Sequence, residues 1–201
     1  MKFDDFFDKK NNISIWSRKI NDNLKNSINY VINKNKNIKL SEVIKPKKIQ
    51  KFLQSSIEYD RKNNAFFSDI ATLAEVFCEL FDEKRVWIRL NITEKSSCPG
   101  FHVDYLKCRL ITTYYGLGTD WVKNNAIDRR EIYRLRNRKI NIKKSNINQL
   151  KVGDIALLKG ESWINNNGNG IVHRSPIDIP GQRRLYMTID LVDFYKTIFY
   201  H

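Results

Sequence analysis

The sequence predicts an α+β fold that is mainly β: an antiparallel sandwich or barrel carrying an N-terminal helical layer. Three features predict it. Apolar residues recur at helical spacing over roughly the first eighty positions, the period drops to two just after Lys84, and Gly, Asn and Pro punctuate the remainder of the chain.

Between Ile13 and Ile32, the residues Trp16, Ile20, Leu24, Ile28 and Val31 give one apolar stripe on an Asn/Lys-rich helix, and the stripe needs a partner surface. The pattern restarts at Pro46, where "KKIQKFLQSSI" reads as a short second helix, because proline's fixed φ suits a first helical turn. The clearest helix runs from Ser68 to about Glu83. Ser68 suits its N-cap, Asp69 its first turn, and Ile70, Leu73, Ala74, Phe77 and Phe81 line one face.

"RVWIRLNIT" (85–93) then alternates. Val86, Ile88, Leu90 and Ile92 fall on one side and Arg85, Trp87, Arg89 and Asn91 on the other, the signature of a half-buried strand. Further β-rich runs lie at 106–115, 153–160, 170–175 and 183–194, and "NNNGNG" (165–170) reads as a loop. The chain accordingly divides into a helical segment, 1–60, packing on a strand-rich domain, 61–201.

At 201 residues the chain is long enough to bury one sizeable core. No apolar run approaches the ~20 residues that span a bilayer, and the N-terminus carries acidic residues where a signal peptide would be apolar. A soluble, cytoplasmic protein without a membrane partner is expected. Cys78, Cys98 and Cys108 have no C-x-x-C spacing, which argues against a disulfide framework and a zinc knuckle. The formal net charge of +14 suits an anionic substrate or a nucleic acid, although Lys and Asn are over-used along the whole chain. The densest basic stretch, 123–144, holds nine Lys and Arg around Asp128, Glu131 and Tyr133. It is a candidate phosphate-backbone contact or lid; a solvated helix or hairpin over one barrel edge is its ordinary reading.

The chemistry centres on "PGFHVDYLKC" (99–108). In a strand, side chains at i and i+2 share a face, so His102 and Asp104 would stand side by side. Alone, such a tripeptide also fits a solvated strand face. The chain has three histidines, and with His201 at the very end, His173 in "GIVHRSP" is the partner left, 71 residues downstream of His102. Two histidines and one carboxylate form the facial triad that suits Fe(II) and leaves positions open. Arg183 and Arg184 follow His173 by ten and eleven residues, and an arginine there could grip a carboxylate such as that of a 2-oxoacid.

This order of residues resembles the Fe(II)/2-oxoglutarate-dependent oxygenases, whose fold is a double-stranded β-helix, or jelly roll. "FHVDYLKCRLITTYYGLGTDW", "GDIALLKGE", "VHRSP" and "RRLYMTID" look more specifically like a bacterial family known only as a domain of unknown function, which shares H-V-D, T-Y-x-G-x-G-T-x-W, A-L-L-K-G-E and V-H-R-S-P. The match covers roughly residues 85–195. The resemblance implies a jelly-roll core, Fe(II) and 2-oxoglutarate as cofactors, and His102, Asp104 and His173 as iron ligands. It implies Arg184 for the distal carboxylate of 2-oxoglutarate, since Arg184 shares a strand face with Tyr186 and Thr188. Arg183, one residue away, is the alternative, and a one-residue slip would exchange the two. Tyr114 is a candidate hydrogen-bond donor to the same co-substrate, and Arg109 a candidate for an anionic group. An aspartate in H-x-D implies hydroxylation, because its carboxylate occupies the position a halide would need.

Two rivals stand beside this reading. One is a jelly-roll zinc-handling or cupin-like protein using Cys98 and Cys108, which flank the H-x-D. The other is a nucleic-acid-binding module built on 123–144. Lys159 and Glu161 in "LLKGESW" read either as a surface pair or as pocket contacts.

Overall fold

The computed structural model describes residues 4–134, 140, 142–177 and 180–192. The elements are β1 (Ile13–Trp16), α1 (Asp22–Lys34), β2 (Ile38–Ile44), α2 (Ile49–Ser56), α3 (Asn64–Phe81), β3 (Val86–Thr93), β4 (Cys108–Tyr115), β5 (Asp120–Val122), α4 (Arg129–Arg134), β6 (Ile147–Gln149), β7 (Ile155–Lys159), β8 (Val172–Arg174) and β9 (Arg184–Leu191).

The expected first helix is divided. Its opening residues pair antiparallel with β7, Ile13 opposite Leu158 and Trp16 opposite Ile155, and the helix starts only where the Asn21 side chain accepts the Leu24 N–H at 2.9 Å. Trp16 and Leu24 still pack on one core, which is why their spacing mimicked a single stripe. The third helix begins four residues before Ser68, behind a 3-10 turn that the Asp60 side chain starts by accepting the Lys62 N–H. Asp69 does not serve the helix dipole; it binds Arg18 at 2.5 and 2.8 Å and accepts the Tyr114 hydroxyl at 2.8 Å.

Six strands form an antiparallel sheet in the order β1-β7-β4-β9-β3-β2, and three form a smaller sheet, β6-β5-β8. Residues 1–60 therefore do more than cover the core: β1 and β2 are the two edges of the large sheet. Phe6, Ile28, Leu53 and Phe77 share one apolar cluster with Val86, Leu110 and Ile189, so helices and sheet close a common core. On β3, Val86, Ile88, Leu90 and Ile92 are all buried on this helical side, at roughly 1.5–3 kcal/mol per side chain.

Alternation sends the other set of side chains to the opposite face of the large sheet. There Ile111, Ala156 and Leu158 pack against Leu150, Ile171 and Trp121, which joins the small sheet to the β1-β7-β4 half. Towards β2 the face opens, and Val43 and Trp87 are 37% and 40% exposed. The basic stretch lies elsewhere: Ile132 of α4 packs with Val103, Val122 and Val172, away from the cluster that joins the two sheets. The Tyr133 side chain, residues 135–139 and 141, the 193–194 end of the expected last strand, and His201 lie outside the described residues. No described helix is long and apolar enough to cross a membrane.

Candidate metal centre

His173 sits in the middle of β8, and His102 faces it through an isolated antiparallel bridge, each backbone N–H donating to the other's carbonyl at 3.0 Å. The H-x-D is thus a single bridge followed by a loop instead of the expected strand. The two imidazole centroids are 4.5 Å apart. Asp104 turns back towards both: Oδ2 is 3.4 Å from His173 Nε2, and Oδ1 is 3.8 Å from His102 Nε2. One donor atom from each residue lies within 4.8 Å of the others. An ion with bonds of ~2.1 Å spans donors up to about 4.2 Å apart, so small side-chain rotations complete the fit.

Tautomers favour ligation. His102 Nδ1 is 2.9 Å from the Gly100 carbonyl and His173 Nδ1 is 3.1 Å from the Ile171 carbonyl. A carbonyl oxygen only accepts, so each Nδ1 carries a proton and each Nε2 faces Asp104. Burial, reinforced by the neighbouring His173, pushes the His102 pKa down, which favours the neutral ligand form. Burial alone would raise the Asp104 carboxyl, but His173, Arg109 and His102 outweigh it and hold the group far below the usual carboxylate range.

Arg109 faces this site. Its Nη1 donates to Asp104 Oδ2 at 2.5 Å, while Nε and Nη2 hold Asp190 at 2.7 and 3.0 Å. Asp190 also accepts from Arg89, whose guanidinium lies 4.4 Å over the Trp87 ring. The anion Arg109 binds is therefore the protein's own: it fixes the carboxylate that would ligate the ion.

Arg184 and Arg183 part company. Arg184 is 8% exposed and faces the cavity beside the cluster, its Nη2 donating to Thr113 and Thr119 at 3.1 and 2.8 Å. Its buried Nε has no hydrogen-bond partner, and among the described residues no carboxylate pairs with it. Burial without such a partner pushes its pKa down to about 10. Arg183 instead donates to the Ile32 and Asn35 carbonyls at the end of α1, where a cation suits the helix dipole, so it is not a co-substrate ligand. Tyr114 must also be withdrawn as a co-substrate contact. It lies on the helical face of β4, 2% exposed, edge-on to Phe66 and bonded to Asp69, because i and i+1 point to opposite faces.

The cavity, about 260 Å³, is lined by Arg89, His102, Arg109, His173, Arg174 and Arg184 among others. Cys98 lines it too, whereas Cys108 is wholly buried on the helical face with its thiol pushed up by burial. The group that could hold a metal ion among the described residues contains no cysteine, and Cys108 faces away from it, which removes the flanking-thiolate pair from the zinc reading.

Residues that sequence reasoning passed over explain the motifs. In "TYYGLGTDW", Thr113 and Thr119 orient Arg184, Asp120 accepts Arg174 Nε at 2.9 Å, and Trp121 stands opposite His173. Gly118 passes so close to Leu150 that a Cβ would lie 1.8 Å from its carbonyl oxygen. In "ALLKGE", the backbone N–H groups of Gly160, Glu161 and Ser162 hold the carbonyls of Lys107, Asp104 and Leu106. Lys159 and Glu161 do not pair with each other. Lys159 reaches the Asp8 carbonyl among Phe6 and Trp163, and Glu161 accepts the Gly168 and Gly170 N–H groups that shape "NNNGNG".

Among solved structures, the rice dioxygenase for auxin oxidation superposes with a TM-score of 0.56 at 11% identity, covering 91% of this chain and 74% of that one. A Pseudomonas putida prolyl-4-hydroxylase gives 0.48 at 8%, over 92% and 94% of the two chains. The Arabidopsis thaliana dioxygenase for auxin oxidation 1, in complex with 2-oxoglutarate, gives 0.43 at 14%, over 78% and 62%. At these identities the likeness to the rice enzyme shows a shared fold. No curated protein matches the sequence. The profile of DUF1826, a protein family of unknown function, matches residues 2–190, helical layer and both sheets together, and the chain belongs to that family.

Proposed function

We propose that the protein is a non-haem Fe(II)- and 2-oxoglutarate-dependent oxygenase of the hydroxylase type. One observation carries the reading: a two-histidine, one-carboxylate cluster shares a cavity with a buried arginine that has no carboxylate partner among the described residues. The first half of that pair suits Fe(II), and the second awaits an anion.

Bound iron and 2-oxoglutarate would supply the oxidation, O2 being consumed as the oxoacid loses CO2 to become succinate and a substrate C–H becomes C–OH. The chain's own residues do the rest. His102 and His173 would hold the ion through Nε2, and Asp104 through a carboxylate oxygen. The Gly100 and Ile171 carbonyls fix the rings, and Arg109 fixes the carboxylate. Arg184, braced by Thr113 and Thr119, would receive the distal carboxylate of 2-oxoglutarate, and burial strengthens that charge pair over its value in water.

Anaerobic Fe(II) titration followed by a succinate assay tests the reading. His102→Ala is expected to abolish tight iron binding and 2-oxoglutarate consumption. A His102→Ala protein that kept both would overturn the ligand set.

A further inference from the structure

Arg174 is a guanidinium in this cavity that neither the metal cluster nor a co-substrate would engage. Its Nε is tied to Asp120 at 2.9 Å, and its plane lies 4.3 Å over the Phe101 ring, so its direction is fixed from two sides. Its two terminal nitrogens have no hydrogen-bond partner among the described residues, yet they are not sealed in: the side chain is 16% exposed and lines the cavity with Ser175 and Asn91. A pre-oriented fork of unused donors is a receptor for an oxyanion.

The charges agree. Among the described residues, Arg89 and Arg109 are balanced by Asp104 and Asp190, and Arg174 by Asp120, which leaves Arg184 unmatched. A divalent ion and a doubly charged co-substrate cancel one another, so one positive charge stays in excess. An anion beside them offsets that excess in a space where unpaired charge is costly.

We propose that the cavity takes an anionic substrate, a small molecule bearing a carboxylate or a phosphate, received by the terminal nitrogens of Arg174. The proposal deepens the oxygenase reading and rests on it for what shares the cavity. The volume of about 260 Å³ sets the scale: with a five-carbon co-substrate in place, only a small group fits alongside.

The test measures binding to the full chain by titration calorimetry, without turnover, using benzoate, phenyl phosphate and neutral benzamide. Benzoate or phenyl phosphate is expected to bind at least tenfold more tightly than benzamide, and the tighter of the two identifies the oxyanion. Arg174→Gln should weaken that binding at least tenfold, and Arg174→Lys should restore part of it. Arg184→Gln should weaken it less than Arg174→Gln does, while abolishing 2-oxoglutarate binding. Equal binding of benzamide, no binding of either anion, or loss in Arg184→Gln but not in Arg174→Gln would overturn the proposal. Failure of 2-oxoglutarate to bind, with Arg174-dependent anion binding intact, would sink the oxygenase reading instead. Near-ultraviolet circular dichroism confirms that each variant is folded.

Discussion

Replacing Gly160 with alanine isolates the contact that sets the position of Asp104. A Cβ there would stand 2.0 Å from the Leu106 carbonyl oxygen and 2.7 Å from that of Asp104, and both obstacles are backbone. Since real Cβ contacts stay beyond 3.0 Å, the loop carrying Asp104 must retreat by about 1 Å or more. That movement loosens three hydrogen bonds, from the Gly160, Glu161 and Ser162 N–H groups to the Lys107, Asp104 and Leu106 carbonyls. At about 1 kcal/mol each, the loss is about 2–4 kcal/mol, or a fall in Tm of about 5–12 °C for a domain of this size. The same shift displaces the carboxylate proposed as a metal ligand, so Co(II) affinity should fall about 10–100-fold, the usual effect of disturbing a ligand's support. Thermal unfolding and Co(II) titration read the two effects separately. Gly100→Ala is the control: it is two residues from His102, nothing lies within 4 Å of its Cβ, and both readouts should match the parent protein. A Gly160→Ala protein with unchanged Tm and Co(II) affinity would refute the reasoning.

Tyr114→Phe removes a hydroxyl that bonds Asp69 on the helical face, at a cost of about 1 kcal/mol; 2-oxoglutarate affinity measured by calorimetry should not change, and a tenfold loss would return Tyr114 to the site. Val103→Thr turns a hydroxyl towards Val122, Ile132 and Val172, costing about 1–3 kcal/mol, and should lower Co(II) affinity because Val103 anchors the segment between two proposed ligands. Cys98 is exposed and should react with Ellman's reagent in the native protein at pH 8, whereas Cys78 and Cys108 should react only on unfolding. Burial raises the Cys78 pKa from 9.0 to about 11 and Cys108 in the same direction. Their folded pKa values exceed the unfolded ones, so the stability they contribute is complete below pH 9 and declines as pH rises towards 11; urea midpoints that stayed flat across that range would contradict this.

Local information carried part of the site. A period-two pattern is a statement about one strand, so β3 and its buried Val86, Ile88, Leu90 and Ile92 were legible residue by residue. The strand phase also separated Arg184 from Arg183, because side-chain alternation is a local property. Scarcity did the rest for the metal cluster: with His201 at the very end, a second histidine ligand had one internal candidate, and His102, Asp104 and His173 do converge.

Tertiary structure decided whatever depends on a partner distant in sequence. The stripe from Trp16 to Val31 is continuous in projection, but β7 claims its first residues through hydrogen bonds that no periodicity encodes. Tyr114 and Arg109 lie on the same strand with equal claim to the pocket by composition. Pleat parity sends one to Asp69 and the other to Asp104, and the parity became meaningful only once a second sheet marked the inner face. Arg174 gives no local sign of its proposed role, since its fixed direction needs Phe101 and Asp120 from two other segments and its terminal nitrogens, unpartnered among the described residues, gain meaning only against the cavity the residue lines. The sequence by itself determined which residues are chemically able to hold an ion and an anion. The packing of two sheets against each other determined which of them meet, because convergence is a property of distances that chain order does not contain.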